Sequence, residues 1–151
     1  MLGRVTEGEC QFCAIIRGEQ PAEIVIDNAD VVAFLDRRPV FKGHVLVVPR
    51  EHVVTLTDLP DDLIVPVFAA ARSMSAAVRV ALGSTGSFVA MNNTVSQSVP
   101  HLHVHVVPRT KGDGLRGFFW PRVKYAEGEM AEYADRLREA LHELDAPGPV
   151  P

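Results

Sequence analysis

Three histidines alternate with apolar residues in the segment from 101 to 108, which reads HLHVHVVP. The leucine and valines between them are typical of a buried strand, whose side chains point alternately to its two faces. His101, His103 and His105 are therefore predicted to share one face, with neighbours about 7 Å apart. Burying three imidazoles among apolar groups is costly unless something engages them. This segment is thus the predicted site of chemistry.

The chemistry that this pattern favours is nucleophilic attack by an imidazole. A neutral imidazole is a good nucleophile near pH 7, and a second imidazole beside it can protonate the leaving atom. Attack on phosphorus would give a phosphoramidate that is labile enough to turn over. From the residues alone, the histidines could also be metal ligands or satisfied strand residues. His44, which opens the third predicted strand, could stack beside them or lie at the surface.

Cys10 and Cys13 are the only cysteines of the chain. Their spacing is that of a zinc knuckle or of a redox pair. A redox pair would open a helix after a strand, and no strand is predicted before Cys10. A zinc site needs two further ligands, for which histidine is the plausible source. From spacing alone, a metal site, a redox pair and two thiols without a role stay open.

Two further segments carry polar or aromatic groups near the histidines. The loop at 92–98 reads NNTVSQS and precedes the histidine strand, where such a loop can hold phosphate oxygens or be a simple polar turn. The segment at 111–125 combines basic residues with Phe118, Phe119 and Trp120. Such a cluster can stack a base and meet phosphates, or it can pack into the core.

The elements that must position these residues follow from hydrophobic periodicity and turn residues. The sequence predicts helices over 11–17, 61–82 and 126–144, and strands over 23–27, 31–36, 44–48, 87–91 and 101–107. Short connections between the early strands favour antiparallel pairing. The predicted fold is α+β, a five-stranded antiparallel sheet with a long central helix and a C-terminal helix, and with the helices packed on one face.

The composition of the chain limits the classes of protein to which it can belong. The chain has 151 residues, of which 47% are hydrophobic and 23% charged, as in an ordinary single domain. No apolar run approaches a membrane span, and the N-terminus lacks the apolar stretch of a signal peptide, so a cytoplasmic protein without a membrane is expected. The net charge of −4 argues against a protein that coats nucleic acid.

Beyond these patterns, the chain resembles the histidine triad (HIT) family of nucleotide-binding hydrolases and transferases over residues 10–109. Each motif alone is weak, but all of them in this order are highly specific. The motifs are C-Q-F-C at 10–13, I-I-R-G-E at 15–19, P-A at 21–22, A-F-L-D at 33–36, G-H-V-L-V-V-P at 43–49, His52, N-N at 92–93, Q-S-V at 97–99 and the three histidines.

The resemblance implies a single HIT domain over residues 1–151, with its core at 10–109 and a C-terminal extension and helix at 110–144. It implies a homodimer whose sheets join across a two-fold axis. The implied activity is hydrolysis of purine nucleotide phosphoramidates or dinucleoside polyphosphates through a covalent nucleotidyl-histidine. The alternatives are a nucleotide-binding regulatory module with little catalysis and a nucleotidyl transferase that acts on a phosphate or a DNA end.

The resemblance also implies the roles of individual residues. His103 is the expected nucleophile, His105 is expected to contact phosphate and help the leaving group depart, and His44 is their companion. The other residues are expected to bind substrate. Phe34 lines the base pocket, Asp36 accepts from the ribose hydroxyls, and Asn92 or Asn93, Gln97 and Ser98 hold the phosphate and the leaving group.

Members that keep the cysteine pair resemble the zinc-binding branch of the family. In that branch the four ligands match Cys10, Cys13, His52 and His101, so a structural zinc and no organic cofactor are expected, since four protein ligands leave no open position. One departure concerns the polar loop, where Ser96 stands at a position that is commonly glycine. A missing glycine alters how closely backbone N–H groups approach the phosphates.

Overall fold

Two runs of consecutive apolar residues form neighbouring strands inside a five-stranded sheet. The computed structural model describes residues 6–115 and 123–145. The strands run antiparallel in the order β1-β2-β3-β5-β4, which confirms the predicted α+β class. Their bounds are β1 Ile24–Asp27, β2 Val31–Leu35, β3 Val45–Pro49, β4 Gly86–Ala90 and β5 Val104–Arg109.

Helices cover both faces of this sheet, so the prediction that they pack on one face is wrong. Helix α2 (Asp61–Leu82) packs on the face that carries Val31, Val45 and Val104. The short helix α1 (Gln11–Ile16) packs on the alternate residues of the same strands, among them Phe34. The physical reason is that V-V-A-F-L and V-L-V-V-P are apolar at every position, so both faces need cover.

Helix α2 is long and apolar enough to cross a membrane by length and composition alone. The expectation that no apolar run is as long as a membrane span is therefore wrong. Its buried residues, including Leu63, Val67 and Met74, lie in the core of the sheet. Because the core helix of an α+β domain passes the same test, this finding is weak evidence for a membrane. The helix runs through Pro66, its sixth residue.

Strand β5 is shifted along the chain from its predicted position at 101–107. The backbone N–H of Leu102 donates to the carbonyl of Val53 at 2.7 Å instead of joining the ladder. The strand therefore begins at Val104 and continues through Pro108. Pro108 pairs with β4 beyond the last residue that pairs with β3, so its missing N–H interrupts no ladder bond to β3.

The chain divides into two units, residues 1–113 and 114–151. The second unit contains α3 (Glu129–Asp145), close to the predicted helix at 126–144. Its apolar stripe is largely exposed within the described residues, with Leu137 66% exposed and Leu144 80%. The predicted cluster of Phe118, Phe119 and Trp120 lies outside the described residues.

Candidate active site and metal site

Three histidine side chains meet on the α1 face of the sheet. Only His105 belongs to β5, where it pairs with Leu46 of β3. His103 precedes the strand, and its ring centroid lies 4.9 Å from that of His105. His44, just before β3, brings its Nε2 to 2.9 Å from Nδ1 of His105. The structure thus brings together the three histidines predicted to be catalytic, with His44 and His103 buried.

The hydrogen bonds of His103 select which of its nitrogens can react. Its Nδ1 lies 2.7 Å from the carbonyl oxygen of His101. Since a carbonyl only accepts, Nδ1 must carry the proton. In the neutral ring, Nε2 then holds the lone pair, and His103 lines the cavity described below. The ring of Phe12 packs edge-on against it, with centroids 5.1 Å apart.

His44 determines which ring nitrogen of His105 carries the proton, and the result is the reverse of that at His103. The backbone N–H of Val40 donates to Nδ1 of His44 at 3.1 Å, so the proton of neutral His44 is on Nε2. That N–H donates to Nδ1 of His105, which leaves an N–H at Nε2 of His105. The site therefore holds a lone pair on one imidazole and a proton donor on its neighbour.

Burial keeps these imidazoles neutral. It lowers the pKa of His105 to about 4, and the nearby His103 and His44 add to that shift. Burial also lowers the pKa of His103 and of His44, although the Asp36 carboxylate opposes the shift at both. Because all three pKa values move down, the free site is uncharged at its histidines at neutral pH.

A cavity of about 390 Å³ opens beside His103 and His105. Of the residues predicted to bind substrate, Phe34, Asp36 and Ser98 line it, whereas Asn92, Asn93 and Gln97 do not. Sequence reasoning missed the rest of the lining. These residues are Gln11, Phe12, Ile15, Ala22, Leu35, Arg37, Arg38, Leu46 and Val99.

The polar loop at 92–98 is fastened to the segment that follows β3. The side-chain oxygen of Asn93 accepts from Leu56 N–H at 2.7 Å, and Nε2 of Gln97 donates to the Val54 carbonyl at 2.6 Å. Thr94 and Ser96 adopt φ values of 67° and 60°, a region that costs non-glycine residues energy. The loop is held in a strained shape beside the cavity, and Ser96 occupies a glycine-type conformation.

Four side chains predicted to bind zinc come together on the same face. The ligand atoms of Cys10, Cys13, His52 and His101 all lie within 4.8 Å of one another. Nδ1 of His101 is 3.5 Å from each sulfur, and Nδ1 of His52 is 3.2 Å from the Cys13 sulfur. Tetrahedral zinc places sulfur and nitrogen ligands about 3.6 Å apart, so the donor set and its spacing fit zinc.

The tautomer of His101 also fits a metal ligand. Its Nε2 lies 2.8 Å from the Pro49 carbonyl, so Nε2 donates and the lone pair of Nδ1 faces the sulfurs. Burial lowers the pKa of His101 to about 4. Burial and the Cys10 side chain raise the pKa of the Cys13 thiol to about 12. A bound cation would offset that desolvation by stabilising the thiolate.

Comparison with known proteins assigns the family. The HIT domain model matches residues 17–112. The chain is 36% identical to an uncharacterised HIT-like protein of Mycobacterium tuberculosis over 144 residues, 91% of this chain and 96% of the relative. It is 28% identical to the adenosine 5′-monophosphoramidase of Candida albicans over 146 residues, 93% of this chain and 96% of that enzyme.

A solved structure agrees with this assignment. The crystal structure of a zinc-bound histidine triad family protein from Mycobacterium smegmatis matches with a TM-score of 0.70 and 35% identity. The match covers 93% of this chain and 98% of that one. The protein therefore belongs to the HIT family.

Proposed function

We propose that this protein is a nucleotidyl hydrolase that cleaves nucleoside phosphoramidates or dinucleoside polyphosphates. The observation that carries the proposal is the fixed pair of tautomers. The lone pair at Nε2 of His103 and the N–H at Nε2 of His105 belong to adjacent rings that line one cavity. A nucleophile beside a hydrogen-bond donor to the leaving atom is an arrangement that favours cleavage of a P–N or P–O bond.

In the first step, Nε2 of His103 forms a bond to the α-phosphorus while the bond to the leaving nitrogen or oxygen breaks. The carbonyl of His101 then accepts from Nδ1 of a cationic ring, which stabilises the intermediate. The N–H at Nε2 of His105 donates a hydrogen bond to the leaving atom, which departs with the bonding electron pair and takes its proton from solvent. In the second step, water forms a bond to phosphorus while the bond from phosphorus to Nε2 of His103 breaks, and the proton that water loses passes to solvent.

The test is turnover of adenosine and guanosine phosphoramidates and of diadenosine polyphosphates. His103→Ala is expected to abolish turnover and to retain binding of nucleoside monophosphates, because the cavity wall is otherwise unchanged. His142→Ala, an exposed change on α3, is the matched control and should keep full activity. Full turnover by His103→Ala would contradict the covalent step. Nucleotide binding without turnover in the wild type would instead support a regulatory module.

The metal site is proposed to hold a structural zinc through Cys10, Cys13, His52 and His101. The name of the zinc-bound relative supports the metal, and the spacing of the four donors supports these ligands. Zinc there would connect α1 to the segment after β3 and to the residues before β5. Its proposed role is to hold His101, whose carbonyl sets the tautomer of His103.

The proposed assembly is a homodimer that joins two sheets at β4. Strand β4 lies at one edge of the sheet, pairs with β5 in regular register and carries no charged residue. The opposite edge, β1, contains a register shift and ends at Asp27, which pairs with Arg50. Bulges and charges block edge pairing, so β4 is the edge suited to a second copy. A cytoplasmic location without nucleic acid or membrane partners stays a prediction.

A further inference from the structure

One end of the nucleotide cavity carries two cations that the proposed reaction does not use. Arg37 and Arg38 directly follow Asp36 at the end of β2, and all three residues line the cavity. Both arginines are exposed. The α-phosphate is expected at His103 and His105, so the position of these guanidinium groups decides which part of a nucleotide they contact.

The side chain of Arg37 extends away from the histidines. His105 lies on β5, and the backbone of Asp36 follows β2, two strands and about 10 Å away across the sheet. Nη2 of Arg37 donates to the carbonyl of Pro21 at 2.7 Å. Pro21 precedes β1, which lies on the far side of β2 from β5. Arg37 is therefore on the nucleoside side of the cavity, not on the leaving-group side.

The apolar wall of the cavity lies at the same end. Ile15, Ala22 and Phe34 line it, and Ala22 directly follows the residue whose carbonyl holds Arg37. A nucleotide with its phosphorus at His103 and its ribose at Asp36 would extend its base along this wall. In that orientation the Arg37 guanidinium, bonded to the Pro21 carbonyl beside Ala22, would lie near an edge of the base, and this hydrogen bond would position it before any ligand binds.

A guanidinium has only donors to offer to that edge. Guanine and hypoxanthine present two acceptors together, O6 and N7, whereas adenine replaces O6 with an amino donor. Gln11, which also lines the cavity, has both a donor and an acceptor and suits either purine. We propose that Arg37 makes this pocket prefer 6-oxopurine nucleotides, those of guanosine and inosine, over adenosine nucleotides. The inference rests on the proposed function, because it uses the same cavity and the same orientation of the nucleotide.

The experiment measures the Kd values of GMP, IMP and AMP by calorimetry for the wild type, Arg37→Met, Arg37→Lys and Arg38→Met. GMP and IMP are expected to bind the wild type about tenfold more tightly than AMP, the lower range for a two-bond contact between arginine and guanine. Arg37→Met should remove this ratio. Arg37→Lys should retain only part of it, because an ammonium lacks the planar fork. Arg38→Met removes the neighbouring cation of the cavity and should keep the ratio, even where it changes the individual Kd values.

The salt dependence of the ratio provides a second readout. Contacts to neutral base atoms are screened little, so the ratio of AMP to GMP Kd should change little between low and high salt. Equal Kd values for the three nucleotides in the wild type would overturn the inference while leaving the proposed function intact. An equal loss of affinity for all three in Arg37→Met would also overturn it, since the arginine would then not distinguish bases. Absence of nucleotide binding altogether would instead count against the proposed function.

Discussion

At the scale of single residues, the candidate site depends on which nitrogen of each imidazole carries a proton. Backbone groups make that choice for three rings. The carbonyl of Pro49 orients His101, the carbonyl of His101 orients His103, and the N–H of Val40 orients His44. None of these backbone partners is visible in the sequence, which indicates that histidines are present but not which nitrogen of each is free.

The buried His105 should make stability depend on pH. Its pKa is about 4 in the folded protein against an ordinary value of 6.5, so between these values the unfolded chain binds more protons. The free energy of unfolding should therefore fall as pH drops from about 6.5 to about 4, by up to about 1.4 kcal/mol per pH unit for this group. Urea denaturation of the wild type and of His105→Asn at several pH values measures this dependence of the free energy of unfolding on pH. The wild-type curve should be the steeper one, and parallel curves would refute the assignment.

Ser96 gives a second prediction at this scale. Its φ of 60° suits glycine, and a side chain in that region costs about 1–2 kcal/mol, part of which the greater freedom of unfolded glycine offsets. Ser96→Gly should be about 1 kcal/mol more stable than Ser96→Ala, which keeps the strained backbone but removes the hydroxyl. Thermal denaturation of the two variants compares them. Equal stability would show that the loop is not strained at this position.

At the scale of elements, the proposed zinc site lies between α1 and the segment that binds the loop at 92–98. Cys10 and Cys13 flank the start of α1, and Phe12 between them packs on His103. His52 leads into the segment that binds the loop through Val54 and Leu56. Zinc at this site would therefore hold in place both Phe12, which packs on His103, and the loop beside the cavity.

Loss of the metal should accordingly weaken both stability and binding. Cys10→Ser is expected to lower the zinc content, to reduce Tm by about 10 °C and to raise the Kd for nucleoside monophosphates, because the ligands stabilise the fold only when bound. Metal analysis, thermal denaturation and calorimetry measure the three effects. His142→Asn, a histidine change outside the cluster, should alter none of them. A Cys10→Ser protein with wild-type zinc content and Tm would exclude the proposed site.

The elements themselves were largely predictable. Apolar runs and turn residues located all five strands, and the bounds predicted for α2 match the structure. The start of β5 was not predictable, because the backbone N–H of Leu102 donates to the carbonyl of Val53. This is a tertiary hydrogen bond, which the local periodicity of the sequence does not indicate. The packing of helices on both faces of the sheet was indicated by the apolar runs V-V-A-F-L and V-L-V-V-P. Such runs are typical of strands that are buried on both sides rather than on one.

At the scale of the whole molecule, the composition of the cavity was only partly predictable. The family motifs supplied Phe34, Asp36 and Ser98, which line it, and they supplied Asn93 and Gln97, whose side chains bond to the segment after β3 instead. The Arg37–Arg38 pair directly after Asp36 was a signal in the sequence. The proposed role of Arg37 depends on its contact with the Pro21 carbonyl, which only the fold reveals.

The proposed dimer gives a prediction at this scale. Val89 on β4 is 43% exposed and Val25 on β1 is 47% exposed, so the two edge strands offer matched positions. Val89→Lys should convert a dimer to a monomer, since a lysine on an edge strand opposes pairing, and Val25→Lys should stay dimeric. Light scattering after size-exclusion chromatography measures the mass. A dimeric Val89→Lys or a monomeric Val25→Lys would contradict pairing at β4.

If the reaction proceeds as proposed, Nε2 of His103 becomes covalently bonded to phosphorus, and rapid-quench trapping detects that bond. The wild type is mixed with a labelled nucleoside phosphoramidate, quenched in alkali to preserve a phosphorus–nitrogen bond, digested and mapped by mass spectrometry. The predicted result is a nucleotidyl group on the peptide that contains His103, formed within one turnover and absent in His103→Ala. Turnover by the wild type with no such adduct, or an adduct on another residue, would show that the reaction does not pass through His103.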